Sequence, residues 1–143
     1  MNRLTFALGS LILVAAPALA VAFPRRMTVY KSPTCGCCEA WISYLESVGY
    51  SIEVRNEDDM APIKKRFGIP ASLESCHTGV IDGYVIEGHV PREAIERLLT
   101  SRLKTRGIAL PGMPSGSPGM GGPKLGMLHI VQLEEPNKVF FMF

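Results

Sequence analysis

Met27-Thr28-Val29-Tyr30-Lys31-Ser32-Pro33-Thr34-Cys35-Gly36-Cys37-Cys38-Glu39-Ala40-Trp41 decides how the chain folds. Met27 to Tyr30 is a short β-like run. Ser32-Pro33-Thr34 is a turn and helix-start signal. From Glu39 onward Ala40, Trp41, Tyr44, Leu45 and Val48 recur at three and four residues, the spacing of one helical face. Gly49 closes that helix as a C-terminal cap. Three of the four cysteines fall within four positions, where the strand meets the helix.

Working outward, Tyr50-Ser51-Ile52-Glu53-Val54 alternates as a second strand. Asn56-Glu57-Asp58-Asp59 starts a second helix, with Pro62, Ile63 and Phe67 and the basic Lys64-Lys65-Arg66 near its end. Gly68-Ile69-Pro70 breaks it. Residues 71–87 read as β structure: Ala71 to Ser75 as one strand, then two strands joined at Asp82-Gly83, a strong turn dipeptide. Pro91 occupies a tolerated first-turn position of a third helix, whose Ala94, Ile95, Leu98 and Leu99 keep helical spacing. The order is strand–helix–strand–helix–strand–strand–helix, with cysteines at the first junction and a Gly-Ile-Pro before the third strand. That order resembles the thioredoxin fold over about residues 27–103. The resemblance implies that Pro70 is the cis proline facing the cysteines. The expected class is α/β, thioredoxin-like, a mixed sheet with flanking helices.

Beyond Lys104 the composition changes. Residues 110–126 form a Pro/Gly/Met-rich loop, including Leu110-Pro111-Gly112-Met113-Pro114 and Gly116-Ser117-Pro118-Gly119-Met120, which cannot form helix or central strand. Leu128 to Leu133 and Lys138 to Phe143 are β-like around Glu134-Glu135-Pro136-Asn137, predicting a C-terminal β-hairpin packed on the core. No internal repeat is visible.

The N-terminus reads as an address. Arg3 is followed by an apolar run from Leu4 to Ala16, then Pro17, then the small-x-small tripeptides Ala18-Leu19-Ala20 and Ala20-Val21-Ala22. This is the layout of a secretory signal, expected to be cleaved at about residue 22; the alternative is an uncleaved anchor. The expected mature chain is one soluble domain, 23–143, in the periplasm and with no membrane attachment. Whole-chain counts of 15 basic and 13 acidic residues give a net charge of +2, and an apolar fraction of 47%. Losing Arg3 leaves 14 basic against 13 acidic, or +1. So small and scattered a charge excludes a nucleic-acid footprint, and the apolar content excludes a wholly disordered chain.

In an oxidising compartment thiols pair, bind metal or do redox chemistry. Cys35 and Cys38 have C-x-x-C spacing, and Cys35 and Cys37 have C-x-C spacing. A helix start stabilises thiolate through its unpaired N–H groups and dipole, which serves a redox nucleophile and a metal ligand alike. A third adjacent thiol invites scrambling in an oxidoreductase but helps a soft metal such as Cu(I). Sulfurs this close bridge ions, so a polynuclear copper–thiolate centre is geometrically natural. Cys76 follows the strand expected beside the first one and so approaches the cluster; the plainer reading is an inert disulfide staple. Four thiolates also suit Zn²⁺, but adjacent Cys37-Cys38 departs from the usual ligand spacing.

Met113 and Met120 sit in a loop, although methionine ordinarily fills cores. Thioether sulfur suits Cu(I), and packing over apolar surface is the alternative. Met27, Met60, Met127 and Met142 read as core or incidental. His77 follows Cys76, His89 precedes Val90-Pro91 as a cap or turn residue, and His129 lies in the terminal strand. A lone histidine is more often structural than a ligand.

Cys35-Gly36-Cys37-Cys38 with Trp41, then Ser75-Cys76-His77-Thr78, Asp82-Gly83-Tyr84, Glu87-Gly88-His89-Val90-Pro91 and the two Met-bearing loop segments resemble the CopG family over about residues 27–143. These are small periplasmic proteins associated with bacterial copper resistance. One departure is Gly121-Gly122, where the resemblance leads to an acidic residue after Met120. The resemblance implies a thioredoxin-like fold and copper bound by Cys35, Cys37, Cys38 and Cys76, followed by Met113, Met120, His77 and His89. The function expected is Cu(I) binding in copper tolerance, with copper redox cycling as an extension. Copper ions and other periplasmic copper-handling proteins are the expected partners. The alternative is a thiol–disulfide oxidoreductase with Cys35 as nucleophile and Cys38 as resolver.

Overall fold

A computed structural model describes residues 24–143. The signal-sequence expectation falls on residues 1–22 and lies outside them. The elements are β1 (Arg25–Lys31), α1 (Gly36–Ser47), β2 (Tyr50–Asn56), α2 (Ala61–Arg66), a 3-10 turn (Ala71–Leu73), β3 (His77–Ile81), β4 (Tyr84–Glu87), α3 (Arg92–Ser101), β5 (Gly107–Ala109), β6 (His129–Gln132) and β7 (Val139–Met142). The strands form one seven-stranded mixed sheet in the order β2-β1-β3-β4-β5-β6-β7. β1 and β2 are parallel, as are β4 and β5, and the other pairs are antiparallel.

Alternation along the strands feeds a core on each face of the sheet. On one face Met27, Val29, Ile81, Ile86, Ile108 and Ile130 meet Trp41, Ile42 and Leu45 of α1 and Ala94, Ile95 and Leu98 of α3. On the other, Val85, Ala109, Val131 and Leu133 meet Ile69 and Leu73. Gly107 permits the tight β4–β5 approach: a Cβ there would lie 1.9 Å from the Val85 carbonyl oxygen.

Three expectations are corrected, and one strand is added. The stretch from Ala71 to Ser75 is a 3-10 turn followed by coil, and β3 starts only at His77. Backbone pairing explains this: Leu73 donates back to the Pro70 carbonyl at 2.8 Å, so the segment satisfies itself locally instead of joining the sheet. No cis peptide occurs among the described residues, so Pro70 is trans, and it opens the 3-10 turn. The second helix begins at Ala61, because Asn56 belongs to β2 and Asp59 Oδ1 accepts the Ala61 N–H at 2.9 Å. β5 was not expected at all; three residues flanked by a basic segment and a Pro/Gly loop carry too little pattern to read. The terminal hairpin is present and extends the sheet as β6 and β7.

Candidate metal centre

Register determines what meets at one end of the sheet. Lys31, the last residue of β1, is opposite His77, the first of β3. The turn bearing Cys35 therefore leaves β1 where Cys76 enters β3. Thr78 pairs with Glu87, so Gly88 and His89 leave β4 at this same end. Glu87 in turn pairs with Ala109, so the 110–126 loop departs there too. Residues far apart in sequence converge because four strand ends coincide.

Cys35 is the N-cap of α1, and its N–H donates to the Ser32 carbonyl at 3.1 Å. Cys35 and Cys38 are joined as a disulfide, and Cys37 and Cys76 are free. The Cys37 sulfur lies 3.6 Å from that of Cys35 and 3.7 Å from that of Cys76. Cys76 Sγ is also 3.3 Å from His77 Nδ1 and 3.2 Å from His89 Nε2. Two overlapping donor groups result: the four cysteines, and Cys76 with His77 and His89, the donor atoms within each lying inside 4.8 Å of one another.

The imidazoles are held ready to accept a metal. His89 donates from Nδ1 to the Pro118 carbonyl at 2.7 Å, which leaves Nε2 with its lone pair toward Cys76. Pro118 gets this close because Gly119, at φ +84°, lies against α1. A Cβ there would come within 2.6 Å of the Trp41 backbone nitrogen. The His77 ring stacks on Trp41 with centroids 4.3 Å apart, and its buried Nε2 has no hydrogen-bond partner. Burial, followed by the charges of His89 and Lys64, pushes His77 down to about 3. Burial also lowers His89. Both rings are therefore neutral, as ligation requires. Burial and the neighbouring Cys37 push Cys76 up to about 11, a cost that a bound cation would reverse.

The sequence reading missed the scaffold beneath these donors. Lys64 and Glu87 are buried and paired, Nζ to Oε1 at 2.5 Å. Glu87 Oε1 also accepts the Ser75 N–H at 2.6 Å, and Thr78 Oγ1 donates to Oε2 at 2.8 Å. This network pins the backbone on both sides of Cys76. Lys31 is also buried, 2.6 Å from Glu39 Oε1 in the first turn of α1. A lysine in a basic run and a glutamate in a strand gave no sequence signal, because their pairing depends on register.

Cys35, Cys37, Cys38, Cys76, His77 and His89 are thus brought together. Met113 is 41% exposed at a positive φ, and Met120 is half-buried next to Gly119. From this loop the Pro118 carbonyl accepts a hydrogen bond from His89. His89 is not the cap of α3, which is Pro91; it does hold a turn, since the Val90 N–H donates to the Gly88 carbonyl across it at 2.8 Å.

Two solved structures, titled copper resistance protein CopG forms 1 and 2, are 41% identical to the chain. Each covers 84% of this chain and 98% of its own, with TM-scores of 0.75 and 0.76. The chain belongs to the CopG family. The family model described as a protein of unknown function, DUF411, matches residues 73–120, which hold Cys76, His77, His89 and the Pro118 loop. No curated protein matches the chain. Copper resistance in these relatives and a cysteine cluster able to hold metal support a copper-related function. No helix among the described residues is long and apolar enough to cross a membrane.

Proposed function

We propose that the chain is an exported periplasmic protein that binds Cu(I) for copper resistance. In this reading residues 1–22 are a cleaved signal and 23–143 one thioredoxin-like domain. Cys35, Cys37, Cys38 and Cys76 supply thiolates, His77 and His89 imidazoles, and Met113 and Met120 lie on the loop above. The observation that carries it is the convergence of four sulfurs and two neutral imidazoles at one sheet end. Such donors suit Cu(I), and sulfurs under 4 Å apart suit more than one bridged ion.

Full ligation requires the Cys35–Cys38 disulfide to be reduced, by two electrons and two protons. Thiol protons then leave as copper binds, so affinity rises with pH. The reverse chemistry supplies a copper redox step: oxidation of this dithiol to the disulfide releases two protons and two electrons, enough to take two Cu(II) to Cu(I).

The test is anaerobic Cu(I) titration of reduced protein against a competing chelator, with wild type beside Cys37→Ser. More than one tightly held copper per chain, falling in the variant, is expected. No binding beyond a weak chelator's reach would overturn the reading.

One observation favours a second reading. Within the disulfide Cys35 is half-exposed and Cys38 fully buried, the arrangement of an attacking and a resolving thiol. A thiol–disulfide oxidoreductase would keep its exchange activity in Cys37→Ser, whereas a copper site would lose metal.

A further inference from the structure

Soft donors gather a second time, on the terminal hairpin. His129 and Met142 are partners across β6 and β7. The neighbouring pair, Leu128 and Phe143, exchanges both backbone hydrogen bonds, at 2.9 and 3.0 Å. His129 and Met142 therefore form the non-hydrogen-bonded pair, whose side chains share a face with Cβ atoms about 4.5–5.5 Å apart. Met127 lies two residues before His129, just ahead of β6, with the buried Leu128 between them. Burial agrees. Leu128 and Ile130 are in the core, whereas Met127 and Met142 are 60% and 58% exposed and His129 is exposed. Methionine normally fills interiors, so two exposed on either side of an exposed imidazole call for a chemical account.

We propose that Met127, His129 and Met142 form a second metal site, which takes one Cu(I) ion through two thioether sulfurs and one imidazole nitrogen. Thioether and imidazole both suit a soft monovalent ion. Three rotatable bonds let each methionine swing its sulfur toward the ring across a flat strand surface. Unlike the cysteines, these donors need no reduction before they can bind. The site therefore stays competent while Cys35 and Cys38 are joined. It would capture copper at the protein surface in an oxidising compartment.

The test uses Ag(I), a redox-inert stand-in, in chloride-free buffer. It is titrated into the full mature chain carrying Cys37→Ser and Cys76→Ser, with the Cys35–Cys38 disulfide intact. Methionine methyl and histidine ring signals are followed by NMR. The Met127 and Met142 methyls and the His129 ring should shift together and saturate at one ion per chain. Adding Met127→Leu and Met142→Leu should abolish the saturable His129 shift while the dispersion of the spectrum is unchanged. Signals that shift separately or not at all, shifts at Met113 and Met120 instead, or a His129 response that survives the double substitution would overturn the proposal. With the free thiols removed, failure here leaves the cysteine reading intact, and failure of the cysteine titration leaves this one intact.

Discussion

The cysteine cluster and the terminal hairpin both collect soft donors, yet they are built in opposite ways. In the cluster, Cys37 meets Cys76 across 39 positions and His89 meets Pro118 across 29. Its donors are half to fully buried, and a buried Lys64–Glu87 pair holds one wall in place. In the hairpin, Met127, His129 and Met142 are exposed, His129 and Met142 are placed by the register of two adjacent strands, and Met127 lies just ahead of the first. The first arrangement is a product of the whole fold, so changes far from the sulfurs should be felt there. The second is a product of local pairing, so its side chains should be nearly free to change.

The largest separation between the regions should come from Lys64→Met. It strands a buried Glu87 carboxylate, and breaking a buried pair typically costs about 3–5 kcal/mol. Urea unfolding should show that loss, and the double variant Lys64→Met/Glu87→Gln should recover part of it. An unchanged midpoint for Lys64→Met would mean that the network does not hold the wall. Next comes Gly119→Ala, which puts a Cβ against the Trp41 backbone at a strained positive φ. A loss of about 1–3 kcal/mol is expected, with His89 ring signals reporting release from the Pro118 carbonyl. Signals identical to wild type would show that the loop does not set the imidazole.

Acid should also act on the cluster side. His77 and His89 have folded-state pKa values below the unfolded value of 6.5, His77 about 3. The unfolded chain therefore binds more protons below about pH 6.5. The stabilisation from neutral histidine is complete above that pH and falls as pH drops toward 3, by at most about 1.4 kcal/mol per pH unit per histidine. Urea midpoints measured from pH 7.5 to 4 should decline, and His77→Gln should flatten the slope. The smallest effect belongs to the hairpin: Met127→Leu and Met142→Leu should each change stability by no more than about 0.5 kcal/mol. A larger loss would mean these methionines are packed rather than presented.

Much of this was legible in the sequence, for physical reasons that differ by region. Helical spacing in Ala40 to Val48 and the Asp82-Gly83 turn are strong local signals, and α1 and the β3–β4 hairpin appear where they predict. The terminal hairpin is likewise written in two β-like runs and a turn. Cys76, with His77 next to it, was expected near the cluster because it follows a strand predicted at Ala71 to Ser75 beside β1; the meeting is real, but the strand beside β1 is β3, which starts at His77. The register that places Lys31 opposite His77, and Lys64 against Glu87, was not legible, since pairing across a sheet leaves no local trace. Nor was the exposure of Met127 and Met142, because an apolar residue in a strand does not declare which face is covered. The Ala71–Ser75 misreading has the same origin: short apolar runs do not distinguish a strand from a locally satisfied turn.

The most direct test of the copper assignment is copper K-edge X-ray absorption on the reduced mature chain loaded anaerobically with Cu(I). A sulfur-dominated first shell with a copper–copper scatterer, the latter lost in Cys37→Ser, is the expected result. A shell of nitrogen and oxygen alone, indifferent to Cys37→Ser, would contradict the assignment of the cysteine cluster as the copper site.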